Sequence, residues 1–102
     1  MASLHTVNKS PFSINSLKSC LEHANDGDTI LLIEDGIYGA LKGSEISQIV
    51  ADKIGSLSII ALEPDMKARG IDSSKILTGI ITTNYDGFVE LAAKHDVCQA
   101  WL

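Results

Sequence analysis

The sequence predicts an α/β fold: a single-domain, three-layer sandwich of about five mostly parallel strands with helices on both faces. Three observations point to it. The run Thr29–Ala40, TILLIEDGIYGA, sets five apolar or β-branched residues ahead of Glu34, Asp35 and Gly36. A continuous apolar run halted by a turn residue suits a strand buried on both faces, as in a parallel sheet clad by helices. Leu57–Leu62, LSIIAL, repeats that character. Between such runs apolar residues recur at three- and four-residue steps, and strands alternating with helices imply parallel pairing through right-handed crossovers. Sites in such sheets form beyond the carboxyl ends of the strands, which directs attention to Glu34–Gly36.

The elements follow in chain order. Ser3–Val7 alternates and reads as a first strand. Ser10-Pro11 offers a helix N-cap with proline at the first helical position. Ile14, Leu17, Leu21 and Ala24 then form one apolar stripe, which Asn25-Asp26-Gly27 ends. Asp28–Glu34 is the second strand, and Tyr38–Leu41 a short helical turn. Gly43 and Ser44 cap a second helix striped by Ile46, Ile49, Val50 and Ile54 and stopped at Gly55. Leu57–Leu62 is the third strand. Pro64 opens a short helix, Asp65–Arg69, closed by Gly70. Ile71–Leu77 is ambiguous. Ile80–Thr83 reads as a fourth strand. Thr83 caps the next helix with Asp86 completing a weak capping box. Phe88, Val89, Leu91 and Ala92 form that helix's buried face, and Lys94 and His95 suit its negative end. Val97–Leu102 is the last strand of what resembles a small flavodoxin-like sheet. No repeat, linker or low-complexity tract divides residues 1–102, so one domain is expected.

The totals narrow the function classes. A domain of 102 residues buries roughly two thirds of the surface its unfolded chain exposes. With 45% apolar residues, no metal or disulfide staple is needed. Eight basic against 13 acidic residues give a net charge of −5. Lys and Arg do not cluster, so direct nucleic-acid and membrane partners are not expected. MASLHTVNKSPF lacks the apolar centre of a signal peptide, and no run approaches membrane-spanning length. The expected location is the cytoplasm, with Cys20 and Cys98 as thiols.

Cys20 is the sharpest chemical candidate. It lies in the back half of the first helix, where the dipole does not favour a thiolate. His23, three positions on, is within reach and would favour it if protonated, with Lys18 or Lys9 adding positive field. The competing reading is a packed core thiol, and spacing alone favours it. Cys98, between Val97 and Gln99, is expected to pack. His5, His23 and His95 are scattered, and no zinc spacing appears. Glu34 and Asp35 suit acid–base or ribose roles, but Asp35-Gly36 is also ordinary turn chemistry, which is the favoured reading. No GxGxxG, Walker or GxSxG pattern occurs, so no cofactor is expected. Trp101 implies a docked tail, on its own core first and at an interface second.

Five motifs run in order along the chain: Leu4–Phe12 (LHTVNKSPF), Leu31–Gly36 (LLIEDG), Asp65–Gly70 (DMKARG), Asp86–Val89 (DGFV) and Gln99–Trp101 (QAW). Together they resemble the DsrH/TusB family, small subunits of sulfur-relay complexes. The resemblance implies a DsrE/DsrF/DsrH-type α/β sandwich. It also implies a heterohexamer with DsrE/TusD-like and DsrF/TusC-like subunits, taking persulfide sulfur from a TusA-like donor and passing it to a DsrC/TusE-like acceptor. The main persulfide cysteine of such complexes belongs to the DsrE/TusD-like partner. Cys20, in the stretch Asn15–Leu21, matches the DsrH form, as does Thr6–Lys9. That makes Cys20 a candidate auxiliary persulfide carrier and favours dissimilatory sulfur oxidation. The alternatives are 2-thiolation of the tRNA wobble uridine by a TusB-type subunit and, in another class, a stand-alone ligand-binding domain using Glu34–Gly36.

Overall fold

In the computed structural model, which describes residues 2–102, the sheet is organised around its two most apolar runs. β1 (Ser3–Val7), β2 (Thr29–Leu32) and β3 (Ser58–Leu62) lie side by side. β4 (Ile81–Thr83) adds beyond β3 and β5 (Val97–Trp101) beyond β1, giving the order β4-β3-β2-β1-β5. Every neighbouring pair is parallel. All four residues of β2 are buried, as a central strand clad on both faces requires. The layering is that of a flavodoxin-like sheet, but the strand order is not flavodoxin's.

Handedness then fixes where the helices go. The steps β1 to β2 to β3 to β4 all move in one direction, so right-handed crossovers place their helices on one face. These are α1 (Ser16–His23), α2 (Ser47–Lys53) and α3 (Glu63–Ala68). Leu17, Leu21, Val50 and Met66 from them meet Val7, Ile30, Leu32, Ile59 and Ala61 of the strands in the main core. The return from β4 to β5 runs the opposite way, and α4 (Tyr85–Lys94) accordingly lies on the other face. There Phe88 and Leu91 pack on a small cluster of Leu4, Leu31 and Ile60.

Several element ends differ from the sequence reading, each for a local reason. Ser10 caps a turn instead of a helix: its Oγ accepts the Phe12 N–H at 3.1 Å, and α1 starts only at Ser16. Ser44 receives Ser47 through its carbonyl, from both the N–H and the hydroxyl, and so does not cap α2 with its own side chain. Asn84 takes the cap assigned to Thr83, its Oδ1 accepting the Gly87 N–H at 2.9 Å while Thr83 closes β4. Pro64 does sit in the first turn of α3. Of the expected buried face of α4, Phe88 and Leu91 are partly covered and no residue is fully buried. Val89 lies about 100° round the helix from Phe88 and is 69% exposed.

β2 is shorter than expected because the chain turns at Glu34, whose φ is +49°. Glu34–Ala40 is a 3-10 helix that extends well beyond the expected turn at Tyr38–Leu41. Gly36 makes this possible: any Cβ there would run into the Val7 carbonyl. The ambiguous stretch Ile71–Leu77 contains a 3-10 turn, Ser73–Lys75, and an antiparallel bridge from Ile76 to Leu41.

Candidate functional site

Cys20 sits on the core-facing side of α1 with no exposed surface. Burial, and the nearby negative Asp28, push its thiol up to about 12. Both effects disfavour the thiolate, the form that attacks or carries sulfur. His23 does not supply the expected counter-charge. Its Nδ1–H donates to the Ser19 carbonyl at 2.8 Å, and its ring tilts against Trp101 at a centroid distance of 5.9 Å. Cys98 differs from expectation in the other direction. It is exposed on β5, because its neighbour across the sheet face is the half-covered α4.

The most tightly built polar group was not legible locally. Asp28, at the amino end of β2, is buried and accepts three hydrogen bonds. These come from the Ser3 N–H at 2.9 Å, the Asn25 N–H at 3.0 Å and His5 Nε2 at 2.9 Å. Burial alone would raise its carboxyl pKa. The bonds from Ser3, His5 and Asn25, with attraction from His5, outweigh that and hold it below the usual carboxylate range. Trp101 Nε1–H donates to His5 Nδ1 at 3.0 Å. An indole nitrogen only donates, so His5 accepts at Nδ1 and donates from Nε2 to Asp28. Residues 5, 28 and 101 are far apart in sequence; the one signal was a histidine within the first strand, Ser3–Val7. Trp101 therefore docks on its own core, and the Ser16 hydroxyl adds a bond to the Leu102 carbonyl at 3.2 Å.

At the carboxyl edge Glu34 and Asp35 belong to a turn. The Glu34 N–H donates to Asp65 Oδ2 at 2.6 Å, and Arg69 Nε–H donates to Asp35 Oδ1 at 2.9 Å. A cleft of about 660 Å³ opens between Pro11–Lys18 and Gly43–Ile49, with Phe12, Ile14 and Ile46 on its walls. Among the described residues no group of three His, Cys, Asp or Glu stands close enough to hold a metal ion, and no helix is long and apolar enough to cross a membrane.

The remaining feature is the side of the sheet that the fold leaves open. A helix covers a strip about 10–12 Å wide, while the axes of β4 and β5 lie about 19 Å apart across a five-stranded sheet. One helix cannot cover that face. On this side Ile81 is 60% and Tyr85 59% exposed. β5 is an edge strand of five residues, VCQAW, with neither charge nor proline. Solitary proteins blunt such edges; an unblunted one suits pairing or packing with another chain.

A family model described as DsrH-like protein matches residues 9–98. Among curated proteins, Protein TusB of Enterobacter sp. (strain 638) is 36% identical, over 96% of this chain and 99% of its own length. Protein TusB of Shigella flexneri is 33% identical over the same shares. Among solved structures, the YchN protein of Escherichia coli superposes with a TM-score of 0.82, over 98% of this chain and 99% of that one, at 14% identity. A protein of unknown function from Methanobacterium thermoautotrophicum gives a TM-score of 0.75, over 94% of this chain and 96% of that one, also at 14% identity. These two likenesses concern the fold alone.

Proposed function

The chain belongs to the DsrH-like family, and from that membership we propose that it is a TusB-type subunit of a sulfur-relay complex. The observation that carries this reading is the full-length match to proteins named TusB. In this reading the chain assembles in the cytoplasm with TusD/DsrE-like and TusC/DsrF-like sister chains into a heterohexamer. The complex takes persulfide sulfur from a TusA-like donor and hands it to a TusE/DsrC-like acceptor. Its end product is the 2-thiolated wobble uridine of tRNA. The sulfur-oxidation branch, towards which Cys20 and Thr6–Lys9 pointed, is the weaker reading, because the relatives carry the TusB name.

The chain's own part is structural. Its uncovered face and bare β5 edge suit sister chains of the same architecture. Cys20 serves as a core residue, and the persulfide cysteine lies on a partner; the buried, protonated thiol supports that division. Deleting the gene in its host and measuring 2-thiouridine in tRNA by mass spectrometry tests the reading. Thiolation should be lost and should return with a plasmid copy, including a copy carrying Cys20→Ala. Unchanged thiolation in the deletion strain would overturn it, and failure of Cys20→Ala, present at normal abundance, to restore it would make the thiol a carrier.

A further inference from the structure

The His5 hydrogen bonds hold more information than a sheet staple needs. His5 is buried in β1, with Asp28 on Nε2 and the indole N–H of Trp101 on Nδ1. Trp101 can only donate, so the bond exists only while Nδ1 carries no proton. A proton on Nδ1 would set two N–H groups against each other at 3.0 Å. We propose that His5 is a proton-sensitive latch on the carboxyl end of β5: the neutral ring holds Trp101, and protonation at Nδ1 expels the indole and frays the strand end.

The surroundings favour this outcome over a simple loss of fold. Asp28 keeps its bonds from Ser3, Asn25 and His5 Nε2 whether or not Nδ1 is protonated, so β1 and β2 stay joined. What gives way is the partner on the other side. Trp101 is the last residue of β5, at an open edge, and beyond it, among the described residues, only the bond from Ser16 to the Leu102 carbonyl ties the tail. The groups facing this assembly are Asp28 beside β1, and Cys20 and His23 of α1. Cys20 is a neutral thiol here, and His23 lies against the indole instead of against His5. Opening and proton uptake are linked: the open form accepts a proton at Nδ1 that the closed form cannot, so falling pH favours the open form. Histidine is the side chain suited to such a switch near neutrality. The inference does not depend on the sulfur-relay reading.

Trp101 is the only tryptophan, so its fluorescence reports the latch directly. The full-length chain is examined from about pH 8 to about pH 5, the range that brackets an imidazole titration. Two variants separate the causes. His5→Gln can donate to Asp28 and accept from the indole, mimicking the neutral ring without titrating. His23→Gln removes the second imidazole that lies against the indole. We expect the wild type and His23→Gln to show a red-shifted emission at the acid end. Amide exchange at Ala100–Leu102, corrected for its intrinsic pH dependence, should quicken by about tenfold or more, with β2 unaffected. His5→Gln should show neither change. A wild type with no change across this range overturns the latch, whatever the variants do. So does a response that persists in His5→Gln or disappears in His23→Gln.

Discussion

At Cys20 the side chain has no exposed surface and its thiol is pushed up to about 12, whereas Cys98 stands open on an edge strand. Reaction with a thiol reagent follows access and thiolate fraction. One equivalent should therefore react in the native chain, mapping to Cys98 by mass, and a second only after unfolding. Rapid native labelling of Cys20 would mean that α1 opens more readily than its packing implies. Asp28 makes a different test. Its carboxyl is held below the usual range in the folded chain, so its contribution is complete above the ordinary carboxylate pKa of about 3.9 and is lost as pH falls through the lower folded value. The stability gap between the wild type and Asp28→Asn in urea should be widest near neutrality and shrink in acid; a gap independent of pH contradicts that assignment. Single residues were the least legible level of the sequence. The turn role of Asp35-Gly36 was readable because tight turns have local chemistry. The His5–Asp28–Trp101 chain was not, because three distant segments build it. The pairing of Cys20 with His23 rested on spacing alone, and helix spacing does not say that His23 turns to Ser19 and Trp101.

Element identity survived where hydrophobic pattern dominates, and element ends moved where one side-chain hydrogen bond decides. Ser58–Leu62 and Val97–Trp101 are strands because nothing competes with their ladders. Ser10, Ser44 and Thr83 all have cap chemistry, yet Ser10 uses it on the Phe12 N–H, Thr83 yields to Asn84, and at Ser44 the carbonyl, not the hydroxyl, meets Ser47. Asn84 shows what a working cap contributes. Removing its side chain in Asn84→Ala should cost about 1 kcal/mol and loosen the first turn of α4, read as a lower urea midpoint and faster exchange at Gly87. Thr83→Ala should do less; equal effects would return the cap to Thr83. The misjudged face of α4 has a different origin. Val89 and Ala92 were placed inside because they are apolar, but a helix with only one neighbour buries a narrow stripe, here Phe88 and Leu91.

For the whole molecule, topology carries the argument. Three crossovers in one direction and a single return leave one face with three helices and the other with one. The alternation of strands and helices was enough to read the layered parallel sheet. The position of β5 beside β1 was not readable, since nothing in a strand's own residues names its neighbour, and so the thinness of the second layer was hidden too. That thinness leaves Ile81, Tyr85 and Val89 in water on a chain that belongs to a family of complex-forming subunits. The central claim is that sister chains cover this side. The direct measurement is hydrogen–deuterium exchange on the chain alone and on the same chain co-expressed and purified with the proposed TusC- and TusD-like sister chains. Slower exchange concentrated in β4, α4 and β5 of the assembled chain is the expected result. A chain that stays monomeric beside both partners, or whose exchange slows only around α1 and α2, would contradict it.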